Sequence, residues 1–206
     1  MTRAFEEIFS IADAFRGIQM AGRTDASILA DAAAASAIPL DSPALARFPE
    51  VYLRHLETEI PKRGPRFGIM PGIRELLDAL SDRDDAYLAL LTGNYETGAQ
   101  LKLEYFDLWR YFRCGAFGDG AADRNGLVPK ALARVAACGG PAFAPSESIV
   151  IGDTPLDVAC AKAGGARSIA VATGNHTVDQ LRAAGADVVF ENLSATREVL
   201  AAILRT

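Results

Sequence analysis

The sequence predicts an α/β fold, a doubly wound parallel sheet entered from an all-helical segment, and three observations carry that prediction. Five short apolar runs, "AYLALL", "FRCGAFG", "SIVIGD", "RSIAVATG" and "DVVFEN", alternate with helical stretches in the last two thirds of the chain. Most are continuous in Val, Ile, Leu and Ala, as strands covered on both faces are. Two helices run into glycine just before the next strand, in "AGGARSIAV" and "AAGADVVF".

Residues 1–64 read as helix alone, and 65–206 as the α/β part. "RAFEEIF" sets Phe5, Ile8 and Phe9 on one face, and "DASILADAAAASA" is alanine-rich with Ile28 and Leu29 as its larger apolar residues. "SPALARFPEVYLRHLETEI" is a third helical stretch, broken before Pro49, with Ser42 placed to cap it ahead of Pro43. Glycine and proline crowd "PKRGPRFGIMPG" and mark the boundary. Beyond it, "PGIRELLDALSD" spaces Ile73, Leu76, Leu77 and Leu80 as a helix face, and helices then alternate with the five runs to Leu204.

The 206 residues are half apolar and 23% charged, enough for one domain or a core with a modest insertion. A net charge of -5 without a Lys/Arg cluster argues against a nucleic-acid surface. Cys114, Cys138 and Cys160 are scattered without C-x-x-C spacing, which predicts reduced thiols packed as small apolar residues. The amphipathic N-terminus is no signal peptide and no apolar stretch is long enough to span a membrane. The expectation is a soluble, cytoplasmic protein with no membrane or nucleic-acid partner.

Ligands of doubly wound sheets bind beyond the carboxyl ends of the strands, so the residues there carry the chemistry. After "YLALL" stand Thr92, Gly93 and Asn94, a hydroxyl and backbone N–H groups suited to an anion, though such a triplet is also an ordinary turn. After "SIVI" stand Asp153 and Asp157, two carboxylates astride a strand-to-helix turn, with Thr154 as cap and Pro155 early in the helix. Such a pair suits Mg²⁺, a hard cation that keeps several waters. Arg124 and Lys130 precede that strand and supply positive charge. Hydroxyl, cation and carboxylate pair together describe phosphoryl transfer.

These residues resemble the haloacid-dehalogenase superfamily of phosphohydrolases, in its phosphoglycolate-phosphatase-like branch. "LALLTGN" is similar to its second motif, "VIGDTPLDVACAKAGGARSIAVATG" to its fourth, and "MPGIRELLDAL" to the helix that re-enters the core after a cap. The resemblance implies a Rossmann-like core with residues 1–64 as an α-helical cap, and a Mg²⁺-dependent phosphatase of small phosphorylated metabolites. It implies that Thr92 holds the transferring phosphoryl oxygen, with Gly93 and Asn94 nearby. Asp153 would ligate Mg²⁺, and Asp157 directly or through water. The lysine of the third motif falls on Arg124, with Lys130 as competitor and Lys102 as a third candidate; arginine keeps the charge but not the geometry of lysine. In the cap, "GRTDAS" is similar to a substrate-facing loop, which would make Arg23 and Thr24 specificity residues; a helix start capped by Thr24 or Asp25 accounts for the same letters.

One departure stands out. No Asp-x-Asp followed by Gly-Thr occurs in the sequence, and Asp119 and Asp123 lack that spacing. The resemblance then implies a chain without the family's nucleophile and without its central first strand, which would lie between the strands ending at Thr92 and Asp153. The expectation is a truncated chain that is inactive or impaired as written, or one that rearranges or forms a homodimer to cover the gap. A non-catalytic Mg²⁺- or phosphate-binding regulatory protein is the alternative. A haloacid dehalogenase fits less well, because displacing halide needs no acidic pair. A receiver domain conflicts with the helical first third, and a dinucleotide-binding enzyme with the lack of an early G-x-G-x-x-G.

Overall fold

The computed structural model describes residues 1–62, 68–119 and 123–205. The first part is helical: α1 (Thr2–Phe9), α2 (Asp25–Ala35), α3 (Pro43–Ala46) and α4 (Phe48–Glu59). They enclose an aromatic core in which Phe5 meets Phe15 edge-on at 5.5 Å and Phe48 stacks on Tyr52 at 6.0 Å. The expected third helix is two. The chain breaks at Arg47, and Pro49 falls in the first turn of α4, where its missing N–H costs nothing. Ser42 stands at the N-cap of α3, but its side chain makes no capping hydrogen bond. The boundary expected between residues 64 and 65 lies outside the described residues.

The α/β part runs α5 (Ile73–Ser81), β1 (Leu90–Leu91), α6 (Glu96–Tyr105), β2 (Gly115–Ala116), α7 (Leu127–Ala137), β3 (Ile149–Gly152), α8 (Pro155–Ala163), β4 (Arg167–Val171), α9 (Val178–Ala183), β5 (Val188–Phe190) and α10 (Thr196–Ile203). Every strand pairing is parallel, as a βαβ chain requires. This is a Rossmann-like α/β core with a helical cap.

The sheet is not continuous. β1 pairs β2, while β3, β4 and β5 form a separate sheet in that order. β1 and β3 each have one edge without a strand partner among the described residues. The break separates the sheet of the strand leading to Thr92 from that of the strand leading to Asp153. It also shortens β1: residues 86–89 of the expected six-residue run are not laddered, and Ile151 of β3 is 39% exposed. Side chains hold the halves together instead. Ala116 of β2, Leu127 and Val128 of α7, Val150 of β3 and Cys160 and Ala161 of α8 form one buried cluster.

Cap and core meet at the strand ends. Gly98 of α6 faces Leu53, Tyr52 and Leu56 of α4, and Asp25 N donates to the Gly93 carbonyl at 2.7 Å. No helix among the described residues is long and apolar enough to cross a membrane.

Candidate active site at the strand ends

Thr92 follows β1 as the chain leaves the sheet, and its N–H is spent on the Ala116 carbonyl at 3.0 Å. Its hydroxyl accepts from Asn94 N at 3.2 Å and Asn94 Nδ2 at 2.7 Å. Lys102 Nζ, two turns along α6, donates to Asn94 Oδ1. A hydroxyl, an amide and an ammonium are thereby fixed in one row. Thr92, Gly93, Asn94, Lys102, Arg124 and Asp25 all line a single cavity of about 770 Å³ between cap and core.

Asp157 is the most heavily engaged group nearby. Its Oδ2 accepts from Asp153 N at 3.1 Å, Thr154 N at 2.9 Å and Thr154 Oγ1 at 2.8 Å, while Thr154 Oγ1 accepts from Asp157 N at 3.2 Å. This is a reciprocal cap on α8, with the helix N-terminus favouring the negative charge. Its Oδ1 takes the Arg124 guanidinium, and the pair is buried, with side chains 14% and 7% exposed. Arg124 also donates to the Gly22 carbonyl at 3.2 Å, so one side chain ties the cap loop to α8 across the break in the sheet.

Asp153, by contrast, receives no hydrogen bond on its carboxylate from another residue among the described ones. Burial, and then the charge of Asp157, push its carboxyl above the usual range. Among the described residues no group of three or more His, Cys, Asp or Glu is placed to hold a metal ion. Asp153 is the carboxylate that could take a hard cation such as Mg²⁺, beside the cavity rather than lining it. Both oxygens of Asp157 are engaged, Oδ2 by the cap of α8 and Oδ1 by Arg124.

Other expected residues fall elsewhere. Lys130 stands exposed on α7 and does not line the cavity. Arg23 lines it but is turned to Asp31 at 2.6 Å and to the Ser27 carbonyl at 3.3 Å. Thr24 caps α2, accepting from Ser27 N at 3.1 Å, which is the helix-start reading of "GRTDAS". Asp119 accepts from Glu96 N at the start of α6 at 2.8 Å, 23 residues away, and Asp123 accepts from Asn125 N at 3.0 Å as a local cap.

Asp25 is the residue that sequence reasoning passed over. It is buried at the first turn of α2, and its Oδ2 accepts from Tyr95 N at 3.0 Å. Burial pushes its carboxyl above 3.8, against the pull of that N–H and of Lys102. The sign follows from linkage. Below 3.8 the carboxyl is neutral in folded and unfolded chains alike, and as the pH rises through the folded value a buried charge appears that destabilises the fold. Asp25→Asn keeps an acceptor for Tyr95 N, so it is expected to raise the urea midpoint at pH 7. That advantage should vanish below about pH 4 in a denaturation series; a lower midpoint at pH 7 would contradict this.

Residues 125–196 match a family model described as HAD-hydrolase-like. Over 137 residues the chain is 31% identical to the probable phosphatase IndB of Dickeya dadantii (strain 3937), a match covering 66% of this chain and 58% of that protein. The chain is thus similar to the haloacid-dehalogenase-like hydrolases over this part of its length. It spans less than two thirds of that relative's length. Solved structures share the fold. A hydrolase from Pseudomonas syringae superposes with a TM-score of 0.67 at 21% identity, covering 99% of this chain and 91% of its own. A predicted phosphoglycolate phosphatase from Haemophilus somnus superposes with a TM-score of 0.66 at 14% identity, covering 97% and 88%.

Proposed function

We propose that the cavity at the strand ends is a Mg²⁺-assisted phosphate site for a small phosphorylated metabolite. We propose further that these 206 residues bind the phosphoryl group without turning it over at a phosphatase's rate. The observation that carries the reading is the hydrogen-bonded row of Thr92, Asn94 and Lys102 on one wall of the cavity, with Arg124 also lining it. A phosphate entering there meets a hydroxyl and two fixed cations, the arrangement that stabilises phosphoryl charge. Mg²⁺ held by Asp153 would neutralise phosphate oxygens. The reaction of the family also needs an aspartate to attack phosphorus, and the sequence carries no Asp-x-Asp-Gly-Thr to supply it. The phosphatase relative supports the substrate class.

The test pairs binding with turnover. Inorganic phosphate titrated by calorimetry in Mg²⁺ should bind, and Lys102→Ala should weaken binding by roughly tenfold, the worth of one charge-assisted hydrogen bond. Release of nitrophenol from para-nitrophenyl phosphate should be the same in Mg²⁺ and in EDTA. Turnover that depends on Mg²⁺ and disappears in Asp153→Asn would show that another carboxylate attacks, with Asp25 the first to examine. No phosphate binding at all would end the reading.

A further inference from the structure

Beyond the phosphate row, the lining of the same cavity turns apolar, with Met20, Ile28, Leu56, Met70, Tyr105 and Phe106. Three of these are among the most exposed large apolar side chains of the described residues, Met20 at 39%, Met70 at 45% and Tyr105 at 51%. None of the three packs into a buried core among those residues. Solvent-facing apolar groups gathered in one concavity mark a ligand surface. The end of α6 ties that surface to the phosphate row. Lys102, Tyr105 and Phe106 stand at i, i+3 and i+4, so they share one face, and the two rings meet edge-on with centroids 5.1 Å apart. One helical turn, about 5 Å, separates the residue that brings the ammonium from those that bring the rings. The charged side chains on the cap side of the lining have protein partners. His55 Nε2 lies 2.7 Å from Glu7, Glu59 holds Arg3 and Lys62, Arg23 turns to Asp31 at 2.6 Å, and Asp25 accepts from Tyr95 N. A ligand rich in hydroxyls would meet groups already paired, and its own polar groups left unpaired would cost binding energy.

We propose that the ligand of this cavity is the phosphate monoester of an apolar, ring-bearing alcohol. Its phosphate sits at the row of Thr92, Asn94 and Lys102, and its ring lies against Tyr105, Phe106, Met20 and Met70. The proposal rests on the phosphate reading of the cavity and adds the chemistry of the rest of the ligand. A ring gains from edge or offset contact with Tyr105 and Phe106. The thioethers of Met20 and Met70 are soft and unbranched, so they follow the outline of whatever ring is present. A cavity of about 770 Å³ has room for a phosphate with a one- or two-ring body. Sugar phosphates and phosphorylated hydroxy acids gain nothing from that wall.

The experiment titrates the 206-residue chain in Mg²⁺ by calorimetry with naphthyl phosphate, glycerol phosphate and inorganic phosphate. Naphthyl phosphate should bind roughly tenfold or more tighter than inorganic phosphate, and excess inorganic phosphate should displace it. Glycerol phosphate should bind within about threefold of inorganic phosphate. Tyr105→Ser and Met20→Ser should each weaken naphthyl phosphate severalfold, by more than they weaken inorganic phosphate. Leu40→Ser, at a side chain 67% exposed and outside the cavity, should alter neither. Lys102→Ala should weaken all three ligands. Suppose inorganic phosphate binds but naphthyl phosphate binds no tighter, is not displaced by it, or is surpassed by glycerol phosphate. The apolar wall would then lie outside the ligand site, and this proposal would fall while the phosphate reading stands. Binding of none of the three ligands would end both.

Discussion

Arg124→Ala should lower the thermal midpoint by roughly 6–12 °C, at 2–4 °C per kcal/mol for a chain of this size. The physical reason is the charge it leaves behind. Asp157 is 7% exposed at its side chain and Arg124 is its ionic partner. Removing one member of such a pair strands the other and costs about 3–5 kcal/mol. The low end applies, because Asp157 keeps three donors from the α8 cap. The same substitution also frees the Gly22 carbonyl and lets the cap loop loosen over the cavity. Arg124→Lys retains the charge without the guanidinium fork that reaches both partners, so it should recover only part of the loss. A midpoint within 2 °C of wild type for Arg124→Ala, measured by calorimetry at pH 7, would mean Asp157 is not held by this pair.

That expectation bears on the metal as well. Asp157 was read from its i+4 spacing as a second ligand, and the spacing does place it beside Asp153. The same spacing, however, is that of a reciprocal helix cap, and the cap with Arg124 engages both of its oxygens in this structure. We propose that an Asp157 so engaged with α8 and Arg124 meets a cation through water, with Asp153 as the direct ligand. Asp157→Asn in the phosphate titration would then change stability more than the Mg²⁺ dependence of binding.

What the sequence made legible was local. Thr92 and Asn94 follow a run of apolar residues, and Thr154, Pro155 and Asp157 spell a helix start. The strands were legible as apolar runs, but their lengths were not. β1 is two residues because a ladder needs partners, and β1 has one on a single side. Lys102 was only a third candidate, since its reach to Asn94 depends on how α6 lies against the strand end. Asp25 was hidden for a stronger reason. Its contact with Tyr95 joins residues 70 apart, and a carboxylate at a helix start already has a sufficient local explanation. Lys130 shows the converse, a lysine at the right distance in sequence that the turn of α7 carries to solvent.

Gly93→Ala is expected to damage both the fold and the cavity, because three backbones cross there with no room for a side chain. A Cβ on Gly93 would stand 2.2 Å from the Arg23 carbonyl oxygen and 3.0 Å from Thr24 Cα; one on Gly118 would stand 2.0 Å from the Gly93 oxygen. The contacts are to backbone, so no rotamer change relieves them. Hydrogen bonds hold the crossing from each side, Asp25 N to the Gly93 carbonyl at 2.7 Å and Gly118 N to the Asn94 carbonyl at 2.8 Å. Forcing a methyl in costs about 2–3 kcal/mol by overpacking alone. The start of α2 must also move off the strand end, taking Asp25 and Arg23 from the cavity wall. The urea midpoint should therefore fall, and phosphate affinity should fall with it even where the chain remains folded. Gly126→Ala is the control. A Cβ there meets nothing within 4 Å and the backbone needs no left-handed conformation, so that variant should match or slightly exceed wild-type stability. Equal midpoints for the two variants would mean that cap and core do not meet at Gly93, and the cavity between them would lose its floor.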